Sequence, residues 1–148
     1  MPMKIAILED NEERRIAMQA RLSEKFRQFE IKIFDDPAQM ICFLREYLQD
    51  TILISLDHDL ELRSDGQGRF IDPGSGRTVA DFLTGETPAC PVVIHTTNSD
   101  AAVGMEMALQ DADWETYRVV PSDDLEWIER DWLRTIRRAI LATARPAK

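Results

Sequence analysis

The chain has little that would staple or anchor a fold. Its 148 residues include only two cysteines, Cys42 and Cys90. Cys42 falls in an apolar helical run and Cys90 just ahead of a strand, so both are expected to be reduced and to serve as packing. No apolar stretch is long enough to span a bilayer and no leader pattern opens the sequence, which makes the cytoplasm the expected compartment. Positive charge is scarce as well: 18 Lys and Arg stand against 27 Asp and Glu, a formal charge of −9 with a pI near 4.7. Such a surface does not grip a duplex DNA backbone by charge. A nucleotide-sized substrate stays open, provided a bound metal meets its phosphates. Internal repeats and low-complexity segments are also missing.

What remains is an ordinary globular composition, 44% hydrophobic and 30% charged. A chain of this length buries a continuous core without disulfides or structural metals. One domain over residues 1–148 is expected, with its core at about 3–142 and a short tail at 143–148.

Strand and helix patterns alternate five times. Lys4 to Leu8 is an apolar run suited to a strand covered on both faces. Met18, Leu22 and Phe26 then recur four apart, as on a helix. Ile31 to Phe34 is the second strand, and Asp36 before Pro37 starts a second helix with Pro in its first turn. Thr51 to Leu56 is the third strand, rich enough in Ile and Leu to be central. Residues 61–77 read as a long loop leading to a helix at Thr78 to Leu83, and five of the six glycines fall between 66 and 85. Loops of this length are usually functional or mobile. Pro91 to Thr96 and Tyr117 to Val120 are the fourth and fifth strands. Asn98 lies in an N-cap cluster ahead of a helix carrying Met105 and Leu109. Asp123 and Glu126 have capping-box spacing ahead of the last helix, whose buried stripe is Leu125, Ile128, Trp132, Ile136 and Ile140. Trp114, Trp127 and Trp132 read as core or interface residues, and Arg134, Arg137, Arg138 and Arg145 as a solvated basic face.

Strands separated by helices imply parallel pairing through right-handed crossovers. The expected class is therefore α/β, a doubly wound (flavodoxin-like) three-layer sandwich with a five-stranded parallel sheet in order 2-1-3-4-5. In such folds ligands sit beyond the carboxyl ends of the strands. Glu9-Asp10, Asp57-His58-Asp59 and His95-Thr96-Thr97-Asn98 all fall there.

These strand ends resemble those of response-regulator receiver domains. Ile7-Leu8-Glu9-Asp10-Asn11 is similar to the family's first strand, whose paired acids hold Mg²⁺. Ile54-Ser55-Leu56-Asp57 is similar to the third, which ends at the phosphoacceptor aspartate, and Pro91 to Thr96 resembles the fourth, with Thr96 at the family's hydroxyl position. The likeness runs over roughly residues 3–142. One departure matters: Val120 stands before Pro121 where receivers carry the lysine that pairs with the phosphorylated aspartate. Instead the chain has two histidines, His58 and His95, both beside the acids. The segments LDHDL and HTTNSD resemble the divergent cyclic-phosphate processing receivers, and the resemblance implies a phosphoesterase acting on cyclic phosphates.

The residue chemistry is compatible with that implication. Glu9, Asp10, Asp57 and Asp59 offer hard oxygen ligands suited to Mg²⁺ or Mn²⁺, although Glu9 and Asp10 cannot both point inward if the strand keeps alternating. His58 and His95 form a candidate general acid and base, as opening a cyclic phosphate requires. Thr96, Thr97, Asn98 and Arg14 are candidates for phosphate contacts, with Arg15, Arg63, Arg69 and Arg77 as further cations. The expected activity is a metal-dependent phosphoesterase acting on cyclic or terminal phosphates of nucleotides or RNA ends. The expected partner is a small phosphorylated ligand (a cyclic nucleotide or RNA end), with no membrane, and oligomerisation is left open. The alternatives are a non-catalytic pseudo-receiver that works as an interaction module, and an atypical receiver phosphorylated on Asp57.

Overall fold

The structure is a computed structural model that describes residues 2–144; of the expected tail, 143–144 belong to the last helix and 145–148, Arg145 among them, lie outside the described residues. Strand and helix alternate as β1 (Lys4–Leu8), α1 (Glu12–Lys25), β2 (Glu30–Phe34), α2 (Pro37–Tyr47) and β3 (Thr51–Leu56). A ribbon of β4 (Arg63–Ser64) and β5 (Phe70–Ile71) follows, then α3 (Gly76–Thr84), β6 (Val92–His95), α4 (Ser99–Asp111), β7 (Thr116–Val119) and α5 (Leu133–Ala144). The five long strands form one parallel sheet in the order β2-β1-β3-β6-β7. Counted within that sheet, this is the expected 2-1-3-4-5.

Alternation along the strands divides the apolar residues between two cores. Ala6, Leu8, Ile54, Leu56, Val92 and Ile94 pack under α2, α3 and α4. Ile5, Ile7, Leu53, Val93 and Val119 pack on the other face, under α1 and α5. Burial on both faces explains why β1 and β3 read as nearly continuous apolar runs.

Helix starts follow local chemistry. The carboxyl of Asp36 accepts the Ala38 amide at 3.1 Å, with Pro37 in the first turn. Asn11 and Asn98 do the same for the Arg14 and Ala101 amides. The last helix differs from expectation. Asp124, not Asp123, accepts the Glu126 amide at 2.9 Å, and the Ser122 hydroxyl donates to the same carboxylate. That turn leaves Leu125 exposed, so the buried stripe begins at Trp127 and Ile128. A wide turn of π geometry over Ile128–Trp132 then leads into α5.

Two further expectations are corrected. Cys42 is exposed, because the packed face of α2 carries Met40 and Leu44 and position 42 lies roughly opposite; Cys90 is buried, and both thiols are free. The loop at 61–77 contains the β4–β5 ribbon, closed by a turn in which Asp65 accepts the Gln67 and Arg69 amides and Gly66 and Gly68 take positive φ. Among the described residues, no helix is long and apolar enough to cross a membrane.

Candidate metal centre at the carboxyl ends of the strands

The sheet register assembles the site. Leu8 pairs with Leu56, and Leu56 with Ile94. One residue further along each strand stand Glu9, Asp57 and His95, in a row across β1, β3 and β6. All three continue the face that packs under α1 and α5, as does Ser55 two residues before Asp57. Ligand-capable atoms of Glu9, Asp57 and His95 lie within 4.8 Å of one another. Glu9 and His95 are 0% exposed and Asp57 is 6% exposed.

The donors are incompletely satisfied. Glu9 Oε2 accepts the Asn11 amide at 3.1 Å. Its Oε1 lies 3.2 Å from His95 Nε2 and 3.6 Å from the Arg14 guanidinium. Yet neither Glu9 Oε1 nor His95 Nε2 makes an aligned hydrogen bond, although both are buried. Asp57 accepts the His58 amide at 2.7 Å. Burial pushes the Asp57 carboxyl up from 3.8 to about 7, with the Glu9 charge adding to the effect, against the opposing pull of His95, the His58 amide and Arg14. Burial also acts to raise Glu9, but the His95 ring, the Asn11 amide and Arg14 outweigh it and hold that carboxyl below its usual range.

His95 is held from behind. Its Nδ1 lies 2.7 Å from Ser55 Oγ, and the Trp132 indole N–H donates to the same oxygen at 2.9 Å. The ring lies near-parallel to Trp127 at 6.0 Å between centroids and edge-on to Trp132 at 6.3 Å. The Arg14 guanidinium sits 5.3 Å over the Trp127 ring.

Several sequence expectations change here. Asp10 alternates away from Glu9 and accepts the Glu61 amide at 2.6 Å, so it is not a member of the cluster. Asp59 lies in the exposed loop beyond β3, where its carboxylate meets His58 Nδ1 at 2.8 Å. The two histidines sit differently: His95 is fully buried beside Glu9 and Asp57, while His58 is half-buried in the loop next to Asp59. Thr96 is buried and its hydroxyl accepts the Asn98 amide at 3.1 Å; the Asn98 oxygen caps α4, and Thr97 is exposed. Arg15, Arg63, Arg69 and Arg77 each pair with a nearby acid, leaving Arg14 as the cation at the cluster. Val120 is exposed just past β7. Ser55 and the placement of Trp132 were not anticipated. A polar residue between Ile54 and Leu56, on the Asp57 face, was the available signal for Ser55.

The fold is that of a receiver domain. The phosphorylated cyanobacterial phytochrome response regulator RcpA superposes with a TM-score of 0.70 at 22% identity, over 99% of this chain and 100% of that one. A CheY-like receiver domain protein from Methanospirillum hungatei superposes with a TM-score of 0.65 at 14% identity, over 96% of each chain. The Mn²⁺-bound form of response regulator Rcp1 does so at 0.61 and 24% identity, over 90% of this chain and 96% of that one. A comparison with curated protein sequences finds no match. Residues 5–111 match the family described as the cyclic-phosphate processing receiver domain, and the chain belongs to that family.

Proposed function

We propose that the protein is a metal-dependent phosphoesterase acting on cyclic or terminal phosphates of nucleotides or RNA ends. The observation that carries this is the buried Glu9–Asp57–His95 cluster, with its two unpartnered donor atoms. Two carboxylates withdrawn from water repel each other, and a divalent cation relieves both that repulsion and the orphaned atoms. Two oxygen donors and an imidazole nitrogen fit Mn²⁺ better than Mg²⁺. When bound, such a cation polarises a phosphoryl oxygen and makes water a better nucleophile. The family description and the Mn²⁺ form of Rcp1 support this reading.

The protein's own groups supply the rest. Asp59 accepts a proton-bearing Nδ1 of His58 at 2.8 Å, which fixes the tautomer and leaves Nε2 free to take or give a proton. His58 is therefore the proton carrier. Arg14, steadied by Trp127 and facing the carboxylates, presents a guanidinium to a phosphate. The Thr97 hydroxyl and the first amides of α4 offer donors to phosphate oxygens.

With Mn²⁺, the purified protein is expected to open a 2′,3′-cyclic nucleotide. His58→Gln should lower kcat by about 10²-fold or more, as removal of a general acid–base group does. Glu9→Gln and Asp57→Asn should abolish the dependence on Mn²⁺. Turnover that survives His58→Gln and Asp57→Asn overturns the proposal. A one-phosphate mass gain on Asp57 after acetyl phosphate, with no turnover, returns the protein to phosphorelay signalling.

A further inference from the structure

Behind the cluster lies a second layer of polar groups. Ser55 and Trp132 reach no solvent and no substrate, yet both are committed to His95. Indole can only donate, so Trp132 always occupies one lone pair of the Ser55 oxygen. That leaves Ser55 with one hydroxyl proton and one lone pair, both available to His95 Nδ1. If Ser55 donates, the ring proton sits on Nε2 and faces Glu9 Oε1 across 3.2 Å. If Ser55 accepts, Nδ1 carries the proton and Nε2 turns a bare lone pair toward Glu9 and Asp57. Ser55 thus meets Nδ1 in either tautomer, but in the second its own hydroxyl proton is left without an acceptor, which favours the first while no cation is bound.

Delivery of the indole depends on the wide turn at Ile128–Trp132. Turns of π geometry inside helices are frequent at functional sites. Here the turn spaces Trp127 and Trp132 so that both rings rest against the one imidazole. Both tryptophans lie beyond residues 5–111, the part of the chain matched by its family.

We infer that Ser55, pinned by Trp132, is a positioning residue: it aims His95 Nε2 at the two carboxylates and lets the ring exchange tautomers as a cation enters. The inference rests on the cation site proposed above. Groups that orient a metal-binding histidine through its far nitrogen typically contribute about 10–100-fold to affinity.

The test reads the ring and the metal separately. Long-range ¹⁵N–¹H spectra of the full chain, with His58→Gln to identify His58, report which His95 nitrogen bears the proton. In cation-free wild type the proton should sit on Nε2, and Zn²⁺ should move it to Nδ1. Ser55→Ala should mix the two forms and weaken Mn²⁺ binding, read by calorimetry, by about 10-fold or more. Ser55→Thr, which keeps the hydroxyl, should restore both readouts. Should Ser55→Ala fail to fold, Trp132→Phe frees the second lone pair and should weaken the same two readouts. A folded Ser55→Ala or Trp132→Phe protein with wild-type tautomer and Mn²⁺ affinity overturns the inference. Both effects as stated, in a wild type that opens no cyclic phosphate, support it and sink only the phosphoesterase.

Discussion

Asp57 ties the stability of the site to pH. Its carboxyl is raised from 3.8 to about 7 in the fold, chiefly by burial, so the folded protein holds that proton more tightly than the unfolded chain does. The sign follows directly: the contribution is full below about 4 and is lost as pH rises through about 7. Glu9 is shifted the other way and acts only below its ordinary value of 4.5, which leaves the interval from 5 to 7 to Asp57. The cation-free protein should therefore lose about 2 kcal/mol of stability across that interval, at most about 1.4 kcal/mol per pH unit. Asp57→Asn keeps the acceptor for the His58 amide and removes the charge. It should melt higher than wild type at pH 8 and no higher at pH 5, while losing Mn²⁺ binding. Equal melting temperatures at pH 8 would refute the burial of a like-charged pair. Mn²⁺ should cancel the alkaline loss in wild type but not in the variant.

The start of α3 fixes the loop that carries the catalytic candidates. The Gly76 amide donates to the His58 carbonyl at 3.1 Å, and a Cβ on Gly76 would lie 1.9 Å from the Asp57 carbonyl oxygen. Both partners are backbone, so neither can swing aside. Gly76→Ala should cost about 1–3 kcal/mol in urea unfolding, the usual price of overpacking, and should reduce turnover by shifting Asp57 and His58 together. Wild-type stability in Gly76→Ala would show that this approach is looser than described. The ribbon shows a similar logic at the other side of the loop: Arg63 binds the carboxylate and carbonyl of Asp35, and the Glu61 amide binds Asp10. Glycine at position 76 was visible in the sequence, but its partner across the loop was not.

At the scale of the whole molecule, one sheet separates two cores, and tryptophan reports on each. Trp114 is buried on the α2–α4 side, where its indole donates to the Leu83 carbonyl, and Trp127 and Trp132 are buried on the α1–α5 side. Because every central strand contributes to both cores, the faces should unfold together. Urea transitions followed by tryptophan fluorescence in Trp114→Phe and by far-UV circular dichroism in wild type should show the same cooperativity, each as one transition with matching m values. Two separated transitions would mean that the layers are independent. The sequence by itself determined the class of fold, the strand order and the ends at which the site would lie, because apolar runs, N-caps and strand-terminal acids are local signals. It also marked Glu9, Asp57 and His95 as candidates. Only the tertiary structure decided that these three form one cluster while Asp10 and Asp59 stand apart, since register between strands and the exit of the chain from β3 are not local. Likewise, only packing could show that His95 is sealed behind Ser55 and Trp132, 77 positions apart in the chain.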